Sequence, residues 1–165
     1  MQRARRLAVA SLAALAAAGC GFELRRPPEL KLRSIRLVNF GARSPLAAAL
    51  RETIDATPTT RVVDPPTVPQ AVLEAIEDKR ERSVVATTAA GQVREFTLRA
   101  RFEFRLHAPN GRELIAPTKI ELSRDMSYSE TAALGKEQEE AALFRAMQND
   151  IVAQVMRRLA AVAPP

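Results

Sequence analysis

Side chains that most often carry out chemistry in proteins are scarce in this sequence of 165 residues. It contains a single Cys, Cys20, and a single His, His107. One Cys excludes an internal disulfide, and one His nearly excludes a His-based metal site or proton relay. Gly91 and Gly111 are isolated turn glycines, and no glycine-rich phosphate loop follows a strand. We therefore expect no catalytic residue, no metal and no cofactor, and interpret His107 as an exposed residue without a role.

Cys20 follows a segment that is typical of secreted proteins. Residues 2–6 contain three Arg, and residues 7–18 are apolar apart from Ser11, which matches the charged start and short apolar core of a secretion signal. A helix of that apolar length spans about 18 Å, well short of the ~30 Å hydrocarbon core of a bilayer. The sequence therefore predicts a cleaved signal peptide over residues 1–19.

Residues 15–20, Leu-Ala-Ala-Ala-Gly-Cys, resemble the lipobox of bacterial lipoproteins, although Ala17 stands where Leu is usual. The resemblance implies that Cys20 is linked to a diglyceride, begins the mature protein and anchors it without a spanning segment. Gly21 stands where an Asp would favour inner-membrane retention, which implies an outer-membrane location. The alternative is ordinary signal-peptidase cleavage after Ala18, which would leave a free thiol.

The strongest pattern in the mature chain covers residues 94–106. Apolar side chains fall on one face of this segment: Phe96, Leu98, Ala100, Phe102, Phe104 and Leu106. Polar and charged side chains fall on the other: Glu95, Thr97, Arg99, Arg101, Glu103 and Arg105. Strict alternation predicts a long strand with one face in a core and one in water. A turn at residues 109–111 leads to a second long strand over residues 114–126, in which Pro117 indicates a bulge or an edge position.

Shorter signals define the remaining elements. Residues 35–40 predict a strand, and Ser44-Pro45 predicts the start of a helix that ends before Pro58. Residues 62–63 and 71–76 are interpreted as strands, although 71–76 would also fit a helix, and residues 77–82 as a charged turn. The C-terminal helix carries an apolar stripe at spacings of three and four: Phe144, Met147, Ile151, Val155, Leu159 and Val162. Residues 127–130 match a capping box for it, although Gly135 would then lie in its first turns.

This order of elements predicts an α+β fold: a two-layer sandwich with two helices on one face of a mainly antiparallel sheet of about four strands. The predicted organisation is a signal peptide over 1–19, a lipidated Cys and extended tether over 20–33, and one domain over 34–163. Pro27-Pro28 favours the extended tether.

The net charge argues against nucleic acid as a partner. Three of the 25 bases lie in the predicted signal peptide, which leaves 22 bases against 19 acids. That excess is too modest to imply a polyanion. The charged face of the long strand also lacks the aromatic side chains on which nucleic-acid bases would stack.

Several segments together resemble the LptE family of lipopolysaccharide-assembly lipoproteins. They are residues 20–25 at the mature start, Glu95-Phe96, and residues 124–128, 133–137 and 147–151. The resemblance covers nearly the whole mature chain. It implies a two-helix, four-stranded sandwich that plugs the LptD barrel of the outer membrane, is needed for LptD to assemble, and binds lipopolysaccharide during its export to the surface.

The resemblance also implies site residues. Lys136 matches a basic position for lipopolysaccharide binding, and a solvated residue in the first turns of the helix is the alternative. The family's other basic position lies in the turn before the long strand; here residues 88–91 contain no base, and Arg94 is the nearest. Arg99, Arg101 and Arg105 would face the polar lumen of the barrel.

A second interpretation of the whole protein is a structural lipoprotein that scaffolds another envelope-biogenesis complex and binds no ligand. Co-purification with an outer-membrane barrel, or with other partners, separates the two interpretations.

Overall fold

The computed structural model describes residues 29–163, and these form a two-layer α+β sandwich. The strands are β1 (Ser34–Val38), β2 (Arg61–Val62), β3 (Ala71–Thr87), β4 (Val93–His107) and β5 (Glu113–Ser127). The helices are α1 (Pro45–Asp55) and α2 (Ala133–Ala161).

All five strands belong to one sheet, in the order β2-β1-β3-β4-β5. β1 pairs in parallel with β2 and with β3, whereas β3, β4 and β5 form an antiparallel meander. The predicted sandwich of two helices on a sheet is therefore confirmed. The strand number differs slightly from about four, because the two-residue β2 adds a short edge strand, and β1 makes the sheet mixed.

The predicted alternation of β4 is confirmed. Its apolar residues from Phe96 to Leu106 are all buried, and they form the part of the core that the sheet contributes opposite the helices. Phe102 and Phe104 stack with ring centroids 5.3 Å apart, and Phe40 stacks on Phe102 at 5.8 Å. Aromatic side chains bury the largest areas per residue, so this cluster is the main apolar contact of the sheet.

The prediction of a charged turn at residues 77–82 is wrong, because β3 continues as a strand to Thr87. A register shift between Ala75 and Glu77 is followed by regular pairing with β4. Two charged side chains of this stretch point toward α2 and lie over aromatic rings: Arg80 is 5.7 Å from the Phe144 centroid and Arg82 is 4.7 Å from that of Phe96. Cation–π contact lets bases occupy positions under a helix where apolar residues are usual.

Pro117 lies where the sequence predicts, on an edge strand. β5 is the last strand of the sheet, and its register with β4 shifts between the partners Thr118 and Ile115. A proline is tolerated at an edge or a bulge because it cannot donate to a strand ladder. The turns at both ends of β4 contain a glycine in the left-handed region, Gly91 (φ 80°) and Gly111 (φ 86°).

The first helix matches its predicted start and buried face. The Ser44 hydroxyl accepts a hydrogen bond from the Ala47 N–H at 3.1 Å and donates one to Oδ2 of Asp78 at 2.6 Å. Pro45 is the first helical residue, and Leu46, Leu50 and Ile54 are buried. The cap therefore joins α1 to the middle of β3.

The second helix begins later than the capping box suggests. A 3₁₀ turn (Glu130–Ala132) precedes it, and no side chain caps its first turn. Ser127, the predicted capping residue, remains in β5, where its hydroxyl accepts a hydrogen bond from Lys136. The apolar stripe is buried from Met147 onward, so the C-terminal half of α2 makes the core contacts.

The hydrophobic core includes residues that precede residue 34, the predicted start of the domain. Leu30 and Leu32 are buried in the core, and their carbonyls accept hydrogen bonds from the hydroxyls of Thr59 at 2.9 Å and Thr60 at 2.6 Å. The last residues of the predicted tether are thus part of the sandwich. The signal peptide over 1–19, the Cys20 anchor and tether residues 20–28 lie outside the described residues. Within residues 29–163, neither helix is apolar enough over a sufficient length to cross a bilayer.

The Ser44 cap gives a test of the fold. We expect Ser44→Ala to lower the free energy of unfolding by about 1 kcal/mol, because the Ala47 N–H and Asp78 both lose a partner. Ser129→Ala is the matched control, since Ser129 caps no helix backbone group. Urea denaturation followed by circular dichroism measures both. Equal stability of Ser44→Ala and the unmodified protein would show that this cap does not hold α1.

Candidate functional site

The face of β3, β4 and β5 that points away from the helices consists of polar and charged side chains. We call it the charged sheet face, and its members are Glu74, Glu77, Lys79, Glu81, Thr97, Arg99, Arg101, Glu103, Arg105, Lys119, Glu121, Ser123 and Asp125. Acids and bases are interspersed and nearly equal in number. The face is therefore strongly polar without a large net charge.

Arg101, one of the three arginines predicted to face a barrel, lies at the centre of this face. Its Nη1 is 3.1 Å from Oε2 of Glu81 on β3, and its Nε is 3.4 Å from Oε2 of Glu121 on β5. The guanidinium thus connects all three strands. Exposed cross-strand pairs of this kind contribute only about 0.2–1 kcal/mol each, so their main effect is to keep the surface polar and evenly charged.

The other two predicted arginines have different surroundings. Nε of Arg105 donates to Oε2 of Glu74 at 2.6 Å. Arg99 lies opposite Glu81 and Ser123 in the register and forms no ion pair with another residue of 29–163. Its guanidinium is the one of the three that is free to meet a carboxylate of a partner.

The bases of the face keep the neighbouring carboxyl groups ionised. A hydrogen bond from Lys79 and the charge of Arg101 hold the pKa of Glu81 below its usual value. A hydrogen bond from Lys119 and the charge of Arg101 do the same to the pKa of Glu121. A lowered carboxyl pKa stabilises the folded state above the ordinary pKa, and this contribution is lost as pH falls through the folded-state value. Glu81 and Glu121 therefore contribute this stability at neutral pH and lose it in acid.

The two bases predicted to bind lipopolysaccharide lie at the same end of the sheet. Tyr128 follows β5 and its N–H donates to the Arg94 carbonyl at 2.7 Å, while Nζ of Lys136 donates to Oγ of Ser127 at 3.0 Å. We call this end, which also holds the β3–β4 turn, the distal end. The packing of α2 against the end of β5 thus places Lys136 at the same end of the sheet as Arg94, although the two are far apart in the sequence.

The sequence reasoning missed one residue of the distal end. Glu139 Oε2 lies 2.8 Å from Nζ of Lys136, so the ammonium group has an acidic partner, and the Lys136 side chain is only 20% exposed. The signal was present as an i, i+3 spacing on a predicted helix. Arg94, in contrast, is exposed and has no ion-pair partner within the described part of the chain. Any anion at this end meets a free guanidinium and an ammonium that is shared with Glu139.

His107 lies at the opposite end of β4 and takes part in a charge cluster. Its Nε2 is 3.6 Å from Oε2 of Glu74, the same oxygen that Arg105 contacts. The imidazole is thus partly enclosed, where the sequence suggested an exposed ring. In the region from residue 29 to 163, no three or more His, Cys, Asp or Glu side chains are grouped so that they could hold a metal ion.

Known proteins of similar sequence and fold include several lipoproteins. The LPS-assembly lipoprotein LptE of Yersinia enterocolitica is 29% identical over 155 residues, which cover 92% of this chain and 73% of that protein. The solution structure of uncharacterized lipoprotein B from Nitrosomonas europaea is 28% identical, covers 86% of this chain and 91% of its own, and superposes with a TM-score of 0.72.

Two crystal structures extend the comparison. Rare lipoprotein B from Shewanella oneidensis is 28% identical, with a TM-score of 0.58 and coverage of 76% of this chain and 89% of its own. A minor lipoprotein from Acinetobacter baumannii shares the fold at 18% identity, with a TM-score of 0.64 and coverage of 82% and 99%. The model of the LptE family, described as lipopolysaccharide-assembly, matches residues 32–159. This match covers most of the chain, which therefore belongs to the LptE family.

Proposed function

We propose that this protein is an outer-membrane lipoprotein that, together with an LptD-like barrel, assembles lipopolysaccharide at the cell surface. In this role it plugs and stabilises the barrel and binds lipopolysaccharide at its distal end. The observation that carries the proposal is the charged sheet face of an LptE-family sandwich. It is a large, ionised and nearly neutral surface backed by a continuous apolar core.

A surface of this kind suits the inside of a large barrel. The lumen of wide transmembrane barrels is lined by polar side chains, so a plug must present polar groups and exclude apolar ones. On the charged sheet face most bases already have an acidic neighbour, such as Arg101 with Glu81 and Glu121. Such a surface can exchange internal pairs for pairs with the barrel wall without leaving a net charge behind, and Arg99 is free to form the first of them.

The distal end supports the ligand-binding part of the proposal. Lipid A carries phosphate groups, and charge-assisted hydrogen bonds from Arg and Lys bind phosphate well. Arg94 offers a free guanidinium, and Lys136 becomes available when a phosphate replaces Glu139 as its partner. Because Glu139 competes, the proposed site binds more weakly than a site with two free bases, which suits a carrier that must release its cargo.

The placement of the chain termini supports the orientation. The chain enters the sandwich at Leu30, beside the start of β1 and β3, and β4 runs the length of the sheet from there to Arg94. At about 3.3 Å per residue, the 15 residues of β4 place the distal end about 50 Å from the point of entry. With Cys20 embedded in the outer membrane, the distal end therefore points away from the anchor.

Charge reversal tests the ligand site. We expect Lys136→Asp to weaken binding of purified lipopolysaccharide about tenfold at low salt, a loss of ~1.4 kcal/mol, and Glu139→Gln to strengthen it by freeing the ammonium group. Arg145→Asp is the matched control, because Arg145 is an exposed α2 residue without an ion pair among the described residues. Fluorescent lipopolysaccharide titrated at low and high salt gives the affinities, and contacts between exposed charges should weaken as salt rises. Unchanged affinity of Lys136→Asp at low salt would refute the site.

Metabolic labelling tests the anchor. We expect radiolabelled palmitate to be incorporated into the wild-type chain and not into Cys20→Ala, since Cys20 is the one Cys of the sequence. We also expect the Cys20→Ala variant to be absent from the outer-membrane fraction. A wild-type chain that takes up no palmitate would show that the protein is not a lipoprotein of the proposed kind.

A further inference from the structure

Bases without acidic partners are concentrated at the end of the sandwich opposite to Lys136. We call it the proximal end; it holds the entry of the chain, the start of β1 and β2, the β4–β5 turn and the C-terminus of α2. Its bases are Lys31, Arg33, Arg61, Arg112, Arg157 and Arg158. None of them forms an ion pair with another residue of 29–163, and they outnumber the acids nearby, which are Glu29, Glu113 and Asp55, whose Oδ1 accepts from the Val62 N–H at 2.7 Å.

The hydrogen bonds show that these bases share one end. Arg61 is paired with Ser34 across β1 and β2, and its N–H donates to the Arg33 carbonyl at 3.0 Å. The backbone carbonyl of Arg112 accepts a hydrogen bond from the Ala108 N–H at 2.8 Å, and this bond closes the β4–β5 turn. Arg158, in the last turn of α2, lines the same cleft as Arg112. Four parts of the fold, namely the entry segment, β2, the β4–β5 turn and α2, thus contribute positive charge to one end.

The bases elsewhere are arranged differently. On the charged sheet face and beneath α2 most of them contact a carboxylate: Lys79, Arg82, Arg101, Arg105, Lys119 and Arg124. Charge on those surfaces is cancelled within the protein. The proximal end therefore holds six of the twelve Lys and Arg side chains that form no ion pair within residues 29–163.

Apolar groups accompany the bases. The cleft between Arg112 and Arg158 encloses about 590 Å³ and is lined by Leu114, Ile115 and Val162. In the loop before β3, Val68 is 76% exposed. Positive groups beside accessible apolar groups match the interface of a bilayer, where phosphates lie next to acyl chains.

The length of the chain between Cys20 and the domain limits how far the proximal end can lie from the membrane. Nine residues, 21–29, separate Cys20 from Leu30, and at most ~3.6 Å per residue they span about 32 Å. A lipid on Cys20 therefore keeps the proximal end within about 32 Å of the anchor, whereas the distal end lies further from it by the length of β4. This step rests on the lipid anchor of the proposed function.

We propose that the proximal end docks on anionic phospholipid headgroups of the membrane that holds the anchor. Clustered Lys and Arg beside a bilayer are attracted to anionic lipid over roughly one Debye length. One lipid anchor and a basic patch together fix the domain more firmly than either alone. The dock places the proximal end at the headgroups, and the distal end with Lys136 then lies at the opposite end of the sandwich.

Two exposed alanines provide matched positions for a test. Ala163 lies beside the proximal cleft and Ala90 in the β3–β4 turn at the distal end. Ala163→Cys and Ala90→Cys, made in the full lipoprotein, are labelled with a polarity-sensitive dye after reconstitution into vesicles of phosphatidylcholine, with and without phosphatidylglycerol. We expect a blue shift for the label at 163 that requires phosphatidylglycerol and disappears at high salt. The label at 90 should not shift.

Charge reversal then identifies the contact. Arg33→Glu with Arg112→Glu should abolish the phosphatidylglycerol-dependent shift, because both side chains are exposed and belong to the proximal end. Arg43→Glu with Arg145→Glu, a pair of exposed bases elsewhere, should leave it intact. A shift that is equal in both vesicle types, or equal loss in both double variants, would overturn the docking proposal. Dye uptake by the wild-type chain would instead show a free thiol at Cys20 and would overturn the anchor, so the two failures are distinguishable.

Discussion

The structure depends on one constraint, the strict division of β4 into an apolar face and a charged face. Because successive side chains of a strand point to opposite sides, Phe102 and Phe104 point into the core, while Arg101 and Arg105 lie on the opposite face of the sheet. β3 and β5 extend this division sideways, and both helices must then lie on the apolar side. The second side of the sheet is left without a covering layer, and its cross-strand ion pairs keep it polar and hydrated. A one-residue slip of register would exchange the two faces and destroy both.

Acidic and basic side chains are distributed differently on the charged sheet face, the distal end and the proximal end. On the uncovered face, acids and bases are nearly equal in number. At the distal end lie Arg94, which forms no ion pair among the described residues, and Lys136, which pairs with Glu139. At the proximal end, six bases form no ion pair with another described residue. Each arrangement suits a different neighbour: a polar protein wall, a phosphate that must be released, and an anionic surface. The proposed role requires all three, because the two ends and the sides of the domain would then meet different environments.

The sequence predicted those elements whose signals are local. The alternation of β4, the Ser44 cap and the stripe of α2 each follow from one segment and were confirmed. The sequence did not predict the second half of β3, because its run of charged residues is typical of a turn. Only tertiary contacts show that Arg82 lies over the ring of Phe96. The site was predictable in part: resemblance indicated Lys136, but the competition from Glu139 and the closeness of Arg94 depend on how α2 packs against β5. Register and packing are long-range properties, and no single segment contains them.

The central claim is that the charged sheet face contacts the wall of an outer-membrane barrel, and site-specific photocrosslinking in intact cells tests it most directly. Ser123 is exposed near the middle of this face, opposite Arg99, and a photoreactive amino acid there replaces a side chain without a structural role. The account predicts a covalent adduct with an LptD-like barrel, identified by mass spectrometry. A chain that reaches the outer membrane and yields no barrel adduct from position 123 would contradict it.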